Sequence, residues 1–124
     1  MELALPDDAT APGIARGSVR ATLTLWRLPN LIDACVLAVS ELVTNAHLHG
    51  RPPVGLLLRR RLHEVRMEVH DGDPQLSAGR PDGSPDLAEA GRGLDIVGVV
   101  ADDTGYERIP GDGKSVYASW HTTH

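Results

Sequence analysis

Residues 31–50 read LIDACVLAVSELVTNAHLHG, and this stretch carries the strongest regular signal in the 124-residue chain. Set at about 100° per residue, Leu31, Ile32, Cys35, Val39, Leu42, Val43 and Ala46 gather within a sector of about 120°, the pattern of a helix with one face against a core. Pro29 and Asn30 break the chain before this helix, and Gly50 followed by Pro52 is a natural stop after it. Upstream, Thr10 to Leu28 sets Ile14, Val19, Leu23, Leu25 and Trp26 among arginines. Pro12 there suits a first turn, which predicts a preceding helix.

Past Gly50 the period falls from 3.6 to 2. Val54, Leu56 and Leu58 alternate along one strand, and Val65, Met67 and Val69 along a second, with a polar turn near Arg61 to His63 between them. That is an antiparallel hairpin. Asp71 to Arg92 is too rich in Gly and Pro for a regular element and reads as a long loop. Leu94 to Ala101 then predicts a short helix launched from a glycine turn. Thr104 to Ile109 and Lys114 to His121 predict two strands around a turn at Pro110 to Gly113, with Val116, Ala118 and Trp120 on one face. Helices first and strands mostly afterwards predict an α+β sandwich, one layer of helices on one sheet.

Composition narrows the function classes. At 13.3 kDa, with 41% hydrophobic and 23% charged residues, the chain has the make-up of one ordinary globular domain spanning 1–124. Twelve basic against 17 acidic residues give a net charge of -5, a sign that repels nucleic-acid backbones and anionic lipid. No apolar run approaches the roughly 20 residues of a membrane span, and the N-terminus carries acids where a secretory leader carries bases. No direct nucleic acid, no membrane and a cytoplasmic location are therefore expected. The single cysteine, Cys35, sits in an apolar run as a buried hydrophobe would, and six scattered histidines suggest no zinc site.

Three short motifs carry chemistry. Glu41 and Asn45 lie one turn apart on the shoulder of the apolar stripe, beside Ala34 and Ala38, facing a crevice at the core's edge. An amide oxygen there suits Mg²⁺, and a neighbouring carboxylate can take a proton from an attacking hydroxyl or water. Asp71 has the parity of Val65, Met67 and Val69, so its carboxylate points to the buried face, where it needs a donor such as an exocyclic amine. Gly91 and Gly93 bracket Arg92 just before a helix, an arrangement of open backbone N–H groups and one guanidinium that binds anions. Taken singly, each has a plainer reading: a polar helix boundary, an Asp capping its own turn, a tight glycine turn.

Their order along the chain changes the weight. With these motifs in sequence, the chain resembles the GHKL ATPase/kinase superfamily, in its stand-alone anti-sigma-factor serine kinase branch, from about Arg16 to Trp120. The stretch VSELVTNAHLHG, residues 39–50, is highly specific for that branch. The resemblance implies a Bergerat-type two-layer sandwich with helices on one face of a mixed sheet. It also implies Asn45 as the residue that holds Mg²⁺, Glu41 as general base and Asp71 as receiver of the adenine amino group. Gly91, Arg92 and Gly93 correspond to the second glycine box, and 72–92 to a lid over the ATP. Implied partners are a sigma factor and an anti-anti-sigma factor, and the common assembly is a homodimer.

Four positions depart from the family pattern. The first glycine box, often D-x-G-x-G, is here Asp71-Gly72-Asp73-Pro74, and Ala90 replaces a frequent glycine. Leu48 stands at an often basic position, and Lys114 where distant relatives place an adenine-side threonine. Two readings follow: a serine kinase acting on an anti-anti-sigma protein, or a nucleotide-dependent binding module that sequesters a regulatory partner without transfer. A two-component histidine autokinase is not expected, for 124 residues leave no room for a phospho-accepting helix.

Overall fold

The computed structural model describes residues 1–73, 91–109 and 113–122, with the side chains of 91–95 excepted. Helix α1 spans Ala11–Leu25 and, after a 3₁₀ turn at Pro29–Leu31, α2 spans Ile32–His49. Strand β1 is Glu2–Leu5, β2 Val54–Arg61, β3 Glu64–Asp71, β4 Asp103–Ile109 and β5 Gly113–His121, with α3 at Gly91–Val100. Both helices and both hairpins predicted from periodicity are present, and the expected two-layer α+β architecture is the one observed. Most of the expected lid, residues 74–90, and the turn at 110–112 lie outside the described residues.

The sheet runs β1-β2-β3-β5-β4, and every hydrogen-bonded pair is antiparallel. This corrects the expectation of a mixed sheet. The crossover through α3 does leave β3 and β4 parallel, but β5 turns back and inserts between them, so the two never pair. Strand β1 was not anticipated. Its four residues offer only Leu3 and Leu5 as an alternating signal, and its partner β2 lies beyond both helices, with Leu3 opposite Leu56 and Leu5 opposite Val54.

Alternation sends Val54, Leu56, Leu58, Val65, Met67, Val69, Ala118 and Trp120 to one buried face. Helix α2 lies over β2 and β3 there, flanked by α1 and α3, and contributes Cys35, Ala38, Val39, Leu42, Val43 and Ala46 to the core. Together with its leading turn, Pro29–His49 is long and apolar enough to cross a membrane by length and composition, contrary to the sequence estimate. In this fold its apolar stripe faces the sheet and the other two helices. Helix α1 buries Ala11, Ala15, Val19 and Leu23, while Ile14 and Leu25 point outward. Ala11 and Ala15 are thus small side chains on the buried face of α1, which packs on α2.

Helix ends are tied down by specific bonds. The Leu28 N–H donates to the Leu23 carbonyl at 2.9 Å and the Arg27 N–H to that of Thr24 at 3.1 Å, with Arg27 in the left-handed region at φ 60°. That is a Schellman cap with arginine where glycine is favoured. Arg60 of β2 donates from Nη1 to the Trp26 carbonyl at 2.9 Å, and the Trp120 indole N–H donates to the Val100 carbonyl at 2.7 Å. Both contacts fasten helix C-termini to the sheet.

Among the described residues the other sheet face carries no helix, and charged side chains stand on it. Arg66 sits 3.5 Å from Glu68 and 3.3 Å from Glu107, with its guanidinium 3.9 Å from the Tyr117 ring centroid. Arg59 approaches Glu68 at 3.7 Å from the other side.

Candidate functional site

The C-terminal half of α2 carries Glu41 and Asn45, and its end, at Gly50, lies against Asp71 at the end of β3. Glu41 and Asn45 are half-buried on α2, neither with a side-chain hydrogen bond among the described residues. Asp71, the last residue of β3, is 3% exposed, so the inward parity read from the sequence is correct. Its Oδ1 accepts the Asp73 backbone N–H at 2.8 Å. Its Oδ2 lies 3.7 Å from the Lys114 Nζ, which is also 3.8 Å from Asp73 Oδ2. Burial pushes the Asp71 carboxyl above the usual carboxylate range. The Asp73 N–H, the Lys114 ammonium and the Arg51 backbone pull it back only in part, and the Asp73 carboxylate adds to the rise.

Two glycines make this closeness feasible. A Cβ on Gly50 would lie 2.6 Å from both Cγ and Oδ2 of Asp71 and 2.7 Å from the Ala46 carbonyl oxygen. Gly50 has φ -96° and ψ -164°, extended backbone open to any residue, so its role is to admit the carboxylate. The sequence reading of Gly50 as a simple helix stop therefore identified the position and missed its reason. Gly113 has φ +99°, and a Cβ there would overlap the Asp71 carbonyl oxygen. The Gly72 N–H donates to the Arg51 carbonyl at 2.6 Å, tying the strand end to the chain just past α2.

Gly91, Arg92 and Gly93 form the first turn of α3 and do not precede it, since the helix starts three residues before the predicted Leu94. Boundary shifts of this size are common, and the first-turn N–H groups still lack partners within the helix. Helix α3 packs on α2, so this turn belongs to the same layer as Glu41 and Asn45. The Arg92 side chain and Ala90 lie outside the described residues. Leu48, at the often basic position, is 65% exposed. A depression of about 420 Å³ lined by Leu3, Ala4, Gly55, Leu57 and His70 reaches Asp71 but includes neither Glu41 nor Asn45.

The donor set fits a nucleotide and a cation held mainly by that nucleotide. Among the described residues no group of three His, Cys, Asp or Glu side chains is placed to hold a metal. A cation here would take one amide oxygen and draw its remaining ligands from phosphates and water, a habit of Mg²⁺. The buried, partly satisfied Asp71 carboxylate suits an amine donor at the other end.

The Histidine kinase-like ATPase domain family matches residues 5–120. The chain belongs to that family. The match begins at Leu5, the last residue of β1, and so extends further toward the N-terminus than the resemblance read from the sequence. No individual curated protein matches the chain. Domains of this family are ATP-binding and kinase-like, generally using Mg²⁺, and the observed sandwich is consistent with their fold.

Proposed function

We propose that the chain is a cytoplasmic regulatory serine/threonine kinase of the anti-sigma-factor type. It binds ATP with Mg²⁺ and transfers the γ-phosphoryl group to a serine of an anti-anti-sigma partner. The observation that carries this reading is the buried Asp71 carboxylate held against Gly50, at the foot of the helix bearing Glu41 and Asn45. Asp71 receives the adenine amino group, and Asn45 contributes its amide oxygen to the cation. Mg²⁺ held there would supply positive charge to offset that of the phosphates.

Glu41 takes the serine proton as the serine oxygen bonds to the γ-phosphorus and the bond to the departing ADP breaks. The backbone N–H groups of Gly91 to Gly93, in the first turn of α3, serve the phosphates as an anion site. Most of the rate then comes from positioning.

A second reading, a nucleotide-gated binding module without transfer, is favoured by the exposed Leu48, which brings no charge to a phosphate. Transfer of labelled phosphate from ATP to a serine-bearing partner separates the two. The kinase reading expects Glu41→Ala to abolish transfer while retaining Mg-ATP binding. It also expects Asn45→Ala to weaken Mg-ATP more than metal-free ATP. Transfer that survives in Glu41→Ala refutes the base assignment, and absence of calorimetric heat with Mg-ATP refutes the nucleotide site.

A further inference from the structure

The end of the molecule away from Asp71 carries a concentration of charge opposite in sign to the chain's net -5. Strand β3 runs from Glu64 at that end to Asp71, a span of about 23 Å at the rise of an extended chain. Beyond Glu64 the β2–β3 turn presents Arg59, Arg60, Arg61 and His63, all exposed. Arg27, just past the end of α1, joins them, because Arg60 reaches the Trp26 carbonyl at 2.9 Å. Neither Arg27 nor Arg61 has an ion pair among the described residues. Two leucines stand out beside them, Leu62 at the turn, 82% exposed, and Leu25, the last residue of α1, 79% exposed.

The surface here is also hollow. A cavity of about 230 Å³ is lined by Arg27, Leu28, Asn30, Leu31, His121 and Thr122. The Thr122 N–H donates to the His63 carbonyl at 2.9 Å, which ties the cavity wall to the hairpin turn. Of the acids at this end, Glu64 lies opposite His121, Asp102 accepts the His121 N–H at 2.6 Å, and Asp33 stands in the first turn of α2. The Arg27 guanidinium and the Asn30 amide leave the cavity with donors suited to a carboxylate.

Three features therefore need one occupant: unpaired cations, exposed leucines and a hollow. A nucleic-acid backbone offers the leucines nothing to cover them and is repelled by the rest of a chain of net charge -5. A bilayer surface is too flat to fill a cavity. An acidic polypeptide answers all three. We propose that this end docks an acidic segment of another protein, with one carboxylate entering the cavity beside Arg27, a second pairing with Arg61, and an apolar side chain covering Leu62. Lying at the opposite end of β3 from Asp71, this docking goes beyond the nucleotide-binding reading and stands without it.

Selection from a library of random peptides displayed on phage tests it, followed by fluorescence anisotropy with the enriched peptides. Those peptides should carry Asp or Glu on both sides of an apolar residue, and their binding should weaken as salt rises. Arg61→Glu and Arg27→Gly should each weaken binding about tenfold, the loss of one charge-assisted hydrogen bond. Both positions are exposed, and neither change threatens the fold. Arg108→Glu, at the Asp71 end of the sheet, should leave binding unchanged.

Enrichment of peptides without acids, or of none, overturns the proposal. So does binding that survives both arginine substitutions. Tighter attachment to phosphatidylserine vesicles or to a single-stranded oligonucleotide, lost in the same variants, overturns the choice of a polypeptide.

Discussion

Replacing Gly50 by alanine tests the contact between helix and strand on which the candidate site depends. The backbone at Gly50 is extended, so alanine adopts it without torsional strain and even trims the entropy of the unfolded chain. What it cannot avoid is collision, because its Cβ would lie 2.6 Å from Asp71 Cγ and Oδ2, where real Cβ atoms keep at least 3.0 Å and ordinarily 3.4 Å. Reaching ordinary contact needs about 0.8 Å of movement by a carboxylate whose Oδ1 is held at 2.8 Å by the Asp73 N–H. Overpacking of this kind costs about 1–3 kcal/mol, and the entropic gain offsets less than 1 kcal/mol.

Gly50→Ala is thus expected to lose about 1–2 kcal/mol in urea denaturation and to bind Mg-ATP about tenfold more weakly. Gly17→Ala is the internal control. It is exposed in α1 with nothing within 4 Å of its would-be Cβ, so it should gain about 0.5–1 kcal/mol. A Gly50→Ala protein as stable as the parent, with unchanged nucleotide affinity, would show that Asp71 is not seated against the end of α2.

Three further outcomes are expected. Arg27→Gly relieves the left-handed C′ position of the α1 cap and should stabilise by about 0.5–1 kcal/mol in the same denaturation assay. Burial pushes the Cys35 thiol up to about 12, so a thiol reagent at neutral pH should label it only as fast as the protein opens, with the rate rising steeply in denaturant. Asp71, flanked by Lys114 and Asp73, has a folded-state pKa above its ordinary value, so the unfolded chain releases this proton first as pH rises. The parent should therefore lose stability relative to Asp71→Asn from about pH 4 upward, levelling off once Asp71 is ionised in the fold. The opposite slope in paired denaturation curves would show that Lys114 and the backbone donors outweigh burial.

The fold was readable where the deciding interactions are local. The amphipathic period of α2, the β2–β3 hairpin and the β4–β5 hairpin each follow from residues within a few positions of one another. Strand β1 and the all-antiparallel order were not, because they depend on pairing with segments distant in sequence, β1 with β2 and β5 with β3. Periodicity also ranks residues by apolarity alone. It favoured Ile14 and Leu25 in α1, while the fold exposes both and buries the small Ala11 and Ala15.

At the site the same division holds. Glu41 and Asn45 came from spacing on one helix, and the inward face of Asp71 from strand parity. The juxtapositions of Asp71 with Lys114 and with Gly50 required the β3–β5 register and the landing of α2 on the sheet, neither of which is written in any short segment.

That landing has a consequence for the chemistry. Gly50 touches the Asp71 carboxylate, Asn45 stands five residues back along α2 and Glu41 nine, so the helical rise places them about 7.5 and 13.5 Å from the contact along the axis. A nucleotide anchored by its base at Asp71, as proposed above, would meet the amide first and the carboxylate last if its phosphate chain extends beside the helix. In the proposed kinase reading, cation ligand and proton acceptor fall in the order that transfer from a terminal phosphate demands. Because Gly50 admits no side chain between helix and carboxylate, the spacing depends on backbone contact and not on a rotamer. In that reading one helix sets the distance from the base to the reacting phosphate, with α3, whose first turn holds residues 91–93, packed on the same helix.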